Sequence, residues 1–430
     1  MRRGPLELDG VRRAGPFVAV ALWMFFAFES LWPGVEKIRS GGWYLYHSWA
    51  YSSLAYSDIL ALYSGRHLAL HGAPYVHQRI EYPVVTGVFM WTMAWFPGVG
   101  GYFIASAVAL FGCTVLIVWV LERSSLRLAW LFAVSPLLLV YSLLNWDLLA
   151  ISFMLLAWHL WRRQRWELAG VVFAFGVFSK WFPIVVLVYC LVATWSRERK
   201  GTARRAATRM GVAALVTGFV INVPFMVANL RGWADFFTFN AQRASNSGVF
   251  YEIALLGKVA VPAVSYVDLI EGGVVCAIGV VLANQVRVGA MTPELAASIG
   301  FAAFLIINKD FSPQYMLWLL VLALISNWPA WTLAILAVVG VVDYANAIIS
   351  LGMGDVSLKA YRWYRSTVDP IEGLLRDACI SLTAVVALVC ARRTTEGSTG
   401  RDGDSSSLKA QVVFSAEEIV GRSPDDLIRN

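Results

Sequence analysis

The sequence predicts an all-α protein that crosses a membrane about twelve times and has a large first external loop. Hydrophobic residues make up 58% of the 430 residues, charged residues only 15%, and the mean hydropathy is +0.63. Soluble chains average about 45–50% apolar and about 25% charged residues. The excess lies in long apolar blocks rather than in the alternating pattern of a membrane β-barrel, so helices are the expected spans.

The apolar blocks predict the positions of the spans. They lie near residues 17–33, 101–121, 127–144, 147–161, 167–179, 182–195, 208–229, 268–286, 292–307, 314–326, 329–349 and 371–391. A further apolar stretch, 83–97, ends in Phe96-Pro97-Gly98 and is short for a span. We expect it to dip into the membrane or lie on its surface.

Basic clusters predict the orientation, because cytoplasmic loops are enriched in Lys and Arg. If 83–97 does not span, Arg123 and Arg127, Arg162 to Arg165, and Arg197 to Arg209 all share one side. Each cluster adjoins an apolar span, which favours cytoplasmic loops over a nucleic-acid surface. The predicted regions are a cytoplasmic N-terminus (1–16), a transmembrane domain (17–391) with an external loop (34–100), and a disordered cytoplasmic tail (392–430).

Several enzyme classes lack their signatures here. No P-loop, GxGxxG, HExxH or GxSxG motif occurs, which argues against an ATPase, a dinucleotide enzyme, a zinc protease and a hydrolase. The five cysteines form no CxxC pair and lie in or beside apolar blocks. The first loop has no Asp-x-Asp pair, so we expect neither a metal nor another cofactor.

Polar patches interrupt the apolar sequence on the predicted external side. They are 145–147, 179–183, 231–243 and 308–315. Charged groups at membrane depth are costly and usually face a cavity. Four patches on one side predict a shared cavity.

Asp58 is the leading catalytic candidate. It follows Tyr56-Ser57 in a segment without Gly or Pro, and apolar residues at Leu54, Ile59 and Leu62 indicate a helix at the interface. A carboxylate beside an apolar wall can accept a proton from a sugar hydroxyl. A solvated loop acid or a helix cap explains the same pattern.

Three cations are candidate phosphate ligands: Lys180, Arg243 and Lys309. Lys180 lies in a helix-breaking sequence with Pro183 close behind, where a fixed ammonium can hold a phosphate. A lysine that extends to the membrane interface is the alternative. Together, three cations on one face suit an anionic group near the membrane surface.

The remaining candidates have structural alternatives. Six residues could contact the sugar or the acceptor: Glu81, Tyr82, Asn145, Asp147, Gln314 and Tyr315. However, an acid just before Pro83 suits a helix start, and Asn or Asp often caps one. Residues beside Pro313 could equally satisfy the backbone of a broken helix.

The order of these motifs resembles the GT-C membrane glycosyltransferases, and specifically the actinobacterial members of glycosyltransferase family 87. The resemblance covers about residues 17–390. It rests on Ser57-Asp58, Gly72-Ala73-Pro74-Tyr75, Glu81-Tyr82-Pro83, the run 145–150, Lys180-Trp181-Phe182-Pro183 and the run 308–318. The sequence has Pro83-Val84 where the family usually has two prolines.

The resemblance implies a reaction and its partners. The donor would be a polyprenyl-phosphate sugar, the acceptor a glycolipid or glycan, and the site would face the outside of the cytoplasmic membrane. Asp58 would be the general base of an inverting transfer, and Lys180, Arg243 and Lys309 would balance the phosphate charge. Mannose is favoured over arabinofuranose. A flippase for lipid-linked saccharides and a non-catalytic envelope scaffold remain alternatives.

Overall fold

The computed structural model describes residues 5–196, 201–259 and 264–399. Over this part of the chain, all regular structure is helical apart from one isolated bridge between Pro74 and Gln78, which confirms the all-α prediction. Residues 197–200 of the predicted basic cluster and residues 400–430 of the predicted tail lie outside the described residues. All sites discussed below belong to the compact unit Met1–Ser381; a second unit begins at Leu382 within the last helix.

The described residues form seventeen α-helices and one short 3-10 helix, Leu68–Leu70. The α-helices are α1 (Pro5–Ser52), α2 (Asp58–Gly65), α3 (Val84–Met93), α4 (Gly98–Ser124), α5 (Leu126–Ala133), α6 (Leu137–Tyr141), α7 (Asp147–Arg162), α8 (Trp166–Val177), α9 (Pro183–Ser196), α10 (Gly201–Ala228), α11 (Leu230–Gln242), α12 (Val249–Leu256), α13 (Val264–Arg287), α14 (Pro293–Ile307), α15 (Tyr315–Ile325), α16 (Ala330–Val356) and α17 (Leu358–Thr399).

Six of these helices are long and apolar enough to cross a membrane, which fits a membrane protein. They are α1, α4, α10, α13, α16 and α17. Five others are apolar but only 10–17 residues long: α3, α8, α9, α14 and α15. A straight crossing needs about 20 residues, so by length alone the described helices support fewer crossings than the sequence predicts.

Two predicted elements differ in extent from the structure. The first span continues far past residue 33, since α1 runs to Ser52 and bends at Gly42, whose φ is 63°. Glycine takes this backbone conformation without a steric penalty. The predicted span 127–144 is divided into α5 and α6 at Pro136, because proline lacks an N–H and disfavours a helical residue before it.

Helix α15 forms the centre of the packing around the site. Every residue from Met316 to Ile325 is buried, and α15 contacts α5, α6, α14 and α16. A helix that is apolar on all sides and buried on all sides provides a rigid support. The polar loop 308–314 leads directly into this helix.

Candidate functional site

One cavity of about 520 Å³ contains most of the predicted site residues. This volume lies within the usual range of small-molecule sites, about 300–1,000 Å³. Seven of the ten candidates line it: Asp58, Glu81, Tyr82, Lys180, Arg243, Gln314 and Tyr315. Asn145, Asp147 and Lys309 are not part of its wall.

Asp58 is the first residue of α2. The predicted helix is present from Asp58 onward, but it does not include Leu54, whose φ is 52°. Its N–H donates to the Leu144 carbonyl at 2.7 Å, and the Ser57 hydroxyl donates to the Leu143 carbonyl at 2.6 Å. Tyr46 and Ser57 also bond reciprocally: the phenol donates to the Ser57 carbonyl at 2.9 Å and accepts from the Ser57 N–H at 2.8 Å. The acid is therefore held against the loop that precedes α7.

Two phenols bond the Asp58 carboxylate. Tyr56 donates to Oδ1 at 2.9 Å and Tyr82 donates to Oδ2 at 3.2 Å. Burial raises the pKa of Asp58, while the bond from Tyr56, the charge of Lys180 and the bond from Tyr82 oppose this. Burial raises the pKa of both phenols well above 10.0, so they remain donors. Each carboxylate oxygen keeps capacity for a further donor.

Lys180 lies in the loop between α8 and α9, where the sequence predicts a helix break. Its ammonium is 2.5 Å from Oδ1 of Asp147, a residue only 2% exposed. Asn145 accepts the Asp147 N–H at 2.9 Å through its side chain. Asn145 thus supports the start of α7, as the structural alternative predicts, while Asp147 is the counter-ion of Lys180.

Arg243 and Lys309 have different surroundings. Arg243 follows α11, lines the cavity and pairs with Asp310 at 2.6 Å; burial raises the pKa of Asp310, and Arg243 opposes the shift. The Lys309 ammonium pairs with Asp268 of α13 at 2.6 Å, and the backbone N–H of Lys309 donates to the Glu271 carboxylate at 2.8 Å. Lys309 therefore joins the 308–314 loop to α13.

Glu81 and Tyr315 complete this end of the cavity. Arg66 donates to both oxygens of Glu81, at 2.6 and 2.5 Å, in a bidentate pair. Tyr315 begins α15, and its ring centroid lies 5.2 Å from the Lys180 ammonium. Gln314 is the N-cap residue of the same helix. We name the part of the cavity around Asp58, Lys180 and Arg243 the base end.

Another part of the cavity wall holds residues that the sequence analysis did not select. Four carboxyl side chains line it, which we name the carboxyl cluster: Glu252, Asp343, Asp369 and Glu372. Asp343 and Glu372 fall inside the predicted spans 329–349 and 371–391. Ionisable groups within a span are a functional signal by default, so the sequence held a signal for these two.

Aromatic rings connect the two ends. The Arg376 guanidinium lies 3.7 Å from the ring centroid of Phe311, and Phe311 packs against Tyr315 at 6.0 Å between centroids. Within the described ranges, no group of three or more His, Cys, Asp or Glu residues is arranged to hold a metal ion.

Comparison with known proteins gives one match. A sequence model of glycosyltransferase family 87 matches residues 81–308, just over half of the chain. No curated protein and no solved structure matches. Asp58 precedes the matched region, and three members of the carboxyl cluster follow it. The long apolar helices fit a membrane protein. On this match the chain belongs to glycosyltransferase family 87.

Proposed function

We propose that the chain transfers a sugar from a polyprenyl-phosphate donor to an envelope glycolipid or polysaccharide on the external face of the cell membrane. The observation that carries this proposal is one cavity lined by a carboxylate, Asp58, and two cations, Lys180 and Arg243. Mannose is the favoured sugar and arabinofuranose the second. No cofactor takes part.

Asp58 acts as the general base. Its carboxylate lines the cavity, and each oxygen receives one phenolic hydrogen bond. Those bonds orient the carboxylate and leave lone pairs for an acceptor hydroxyl. Burial raises its pKa, which increases its strength as a base when ionised, and a general base works best when its pKa approaches the operating pH.

The transfer is one inverting displacement. The acceptor hydroxyl gives its proton to Asp58 as its oxygen forms the new bond to the anomeric carbon. The bond from that carbon to the phosphate oxygen breaks, and the electron pair leaves with the polyprenyl phosphate. Because a phosphate is already a good leaving group, no general acid is needed.

Lys180 and Arg243 stabilise the departing phosphate. Among the described residues, Lys180 pairs with one carboxylate, Asp147, and Arg243 with another, Asp310. An ammonium has three N–H donors and a guanidinium five, so both retain donors for the phosphate. Fixed cations in a water-poor site are effective stabilisers of developing charge.

The other site candidates divide into two groups under this proposal. Glu81, Tyr82, Gln314 and Tyr315 line the cavity and contact the sugar or acceptor. Asn145, Asp147 and Lys309 act indirectly: Asn145 and Asp147 support α7 and Lys180, and Lys309 holds the 308–314 loop.

A membrane assay with two radiolabelled donors, polyprenyl-phosphate mannose and polyprenyl-phosphate arabinofuranose, tests the proposal. The wild-type chain should transfer one label to a glycolipid or glycan. Asp58→Asn should lower transfer by about 10²–10⁴-fold. The matched control is Asp235→Asn, which makes the same change at an acid outside the cavity wall that pairs with Arg79.

Three results would contradict the proposal. Full transfer by Asp58→Asn rules out the base. Movement of a lipid-linked saccharide across the bilayer of reconstituted liposomes, without sugar transfer, makes the chain a flippase. Normal envelope glycans in an Asp58→Asn strain, but not in a deletion strain, make it a scaffold.

A further inference from the structure

The carboxyl cluster is part of the cavity wall that also contains Asp58. It comes from three helices, since Glu252 lies on α12, Asp343 on α16, and Asp369 and Glu372 on α17. Two guanidinium groups, Arg365 and Arg376, line the same end. Carboxyl groups therefore outnumber cations here, whereas the base end has two of each in its wall: Asp58 and Glu81, and Lys180 and Arg243.

Both guanidinium groups are already bonded to carboxylates. Arg376 lies 3.2 Å from Glu252 and 3.0 Å from Asp343, and it also pairs with Asp377 at 3.0 Å. Arg365 lies 2.8 Å from Asp369. The face of Arg376 is covered by the Phe311 ring. Because four carboxyl groups surround these two paired guanidinium groups, this end of the cavity favours a neutral ligand over an anionic one.

Two carboxylate oxygens of the carboxyl cluster lack a hydrogen-bond partner among the described residues. They are Oε2 of Glu252 and Oδ2 of Asp343, and both side chains are buried, with 3% of each residue exposed. Both residues line the cavity. Buried polar atoms are rarely left unbonded, so these oxygens indicate a ligand that donates hydrogen bonds. Burial also raises the pKa of Glu252, to about 7.

Half-buried Asn346 and buried Ser350 beside them suit neighbouring hydroxyl groups. Asn346 donates to Asp369 and to Glu372, at 3.2 Å in each case, through one amide nitrogen. Ser350 donates to the other oxygen of Asp369 at 2.8 Å. Amide, hydroxyl and carboxyl groups packed this closely alternate donors and acceptors, as the hydroxyls of a sugar do.

The cluster also lies beside the base end. Tyr344 lines the cavity next to Asp343, and its phenol donates to the Leu54 carbonyl at 2.9 Å, a few residues before Asp58. A sugar bound to the cluster would therefore be next to the proposed base. A tightly packed aromatic side chain gives such a ring an apolar wall.

We infer that the carboxyl cluster binds the acceptor through an uncharged polyol and selects against an acceptor that carries a phosphate or carboxylate on the bound sugar. The identification of the ligand as the acceptor rests on the proposed function, but the preference for an uncharged polyol does not. Asn346 and Glu372 are the residues that determine the specificity. Lys180 and Arg243 at the base end take the phosphate of the donor, and the carboxyl cluster takes the neutral partner.

Binding to the purified full-length chain in detergent tests this without catalysis. The probes are octyl mannoside, octyl arabinofuranoside and their terminal phosphate esters, measured by saturation-transfer NMR titration. The common octyl chain makes partition into detergent comparable. The wild-type chain should bind at least one neutral glycoside about tenfold more tightly than its phosphate ester.

Glu372→Gln and Asn346→Ala should each weaken binding of the neutral glycoside by about tenfold, the loss expected for a hydrogen bond to a charged group. Glu167→Gln is the matched control, because Glu167 forms an ion pair with Arg209 outside the cavity wall. A cooperative thermal unfolding transition near that of the wild-type chain shows that each variant is folded. If one variant fails to fold, the other decides.

The outcomes separate this inference from the proposed function. Equal binding of neutral and phosphorylated glycosides, no glycoside binding at all, or unchanged binding in the folded variants would overturn the inference. Sugar transfer by the wild-type chain would still stand in those cases. Selective binding that depends on Glu372, in a chain without transfer activity, would support the inference and refute the proposed function.

Discussion

The ammonium of Lys180 lies 2.5 Å from the carboxylate of Asp147, so the cation whose charge lowers the pKa of Asp58 is held by a buried acid. The second oxygen of Asp147 has no partner among the described residues. Lys180→Met would leave this buried charge unpaired and should lower the free energy of unfolding by about 3–5 kcal/mol. Thermal unfolding in detergent measures the loss.

The double variant Lys180→Met/Asp147→Asn separates stability from catalysis. It removes both charges and should recover most of the stability while transfer stays low, because the phosphate still lacks its ammonium. Arg209→Met, which breaks an exposed pair with Glu167, should cost no more than about 1 kcal/mol. Recovery of transfer in the double variant would show that Lys180 does not act on the donor.

Tyr56→Phe should shift the ascending limb of the pH–rate profile to higher pH. A general base acts when deprotonated, so kcat/KM for the acceptor rises with pH through the pKa of Asp58. Burial raises this pKa above its ordinary value, and the Tyr56 hydrogen bond lowers it again. Without that bond, the carboxylate is less stable, its pKa rises further, and the ascending limb shifts to higher pH.

Two further variants sharpen this measurement. Tyr82→Phe should shift the limb in the same direction but less, because its bond to Asp58 is longer, 3.2 Å against 2.9 Å. Tyr63→Phe is the control, since Tyr63 packs against Tyr102 and makes no described bond to Asp58. A downward shift in Tyr56→Phe would contradict the proposed role of the phenol.

Arg243 and Lys309 should differ in their effect on the donor. Arg243→Met/Asp310→Asn removes the ion pair at the cavity and should raise KM for the donor by about 10–100-fold, the value of a lost charge-assisted hydrogen bond. Lys309→Met/Asp268→Asn removes the pair outside the wall and should leave donor KM near wild type. Equal effects on donor KM would remove Arg243 from the phosphate site.

Gly87→Ala should disturb the site from outside the cavity. A methyl group there would overlap the phenol of Tyr75, which is 1% exposed and donates to the Tyr82 carbonyl at 2.8 Å. Repacking of this kind costs about 1–3 kcal/mol, and displacement of Tyr82 should reduce transfer. Both effects are measured on the same preparation.

Gly112→Ala is the control for that substitution. Gly112 lies within α4, and an added methyl group meets nothing within 4 Å. Replacement of a helical glycine by alanine there should raise stability by about 0.5–1 kcal/mol. Full transfer in Gly87→Ala would show that Tyr75 does not position Tyr82.

Local signals in the sequence were sufficient for some parts of the fold and the candidate site. Pro183 marks the helix break in which Lys180 lies, and Asp58 begins a helix in a segment without Gly or Pro. Three of the four polar patches, 179–183, 231–243 and 308–315, contribute residues to one cavity wall, whereas 145–147 does not. Each of these depends on neighbours along the chain, which a pattern of residues records.

The rest depends on contacts between distant segments. Lys309 pairs with Asp268 of α13, and Arg376 brings together acids from α12, α16 and α17. No local pattern specifies such partners. The division of span 127–144 is different, because Pro136 is a local signal that the sequence contains. The prediction of one span followed the length of the apolar block.

The cavity wall runs from Tyr56 near the start of the chain to Arg376 near its end, and this has a consequence for biosynthesis. A nascent chain that has inserted α1 to α15 already carries Asp58 and Lys180 but has none of the wall from α16 and α17. The ribosome must translate past residue 376 before the site is enclosed. A polypeptide cut short after residue 308 would keep the family-matched region and still lack a complete place for its substrates.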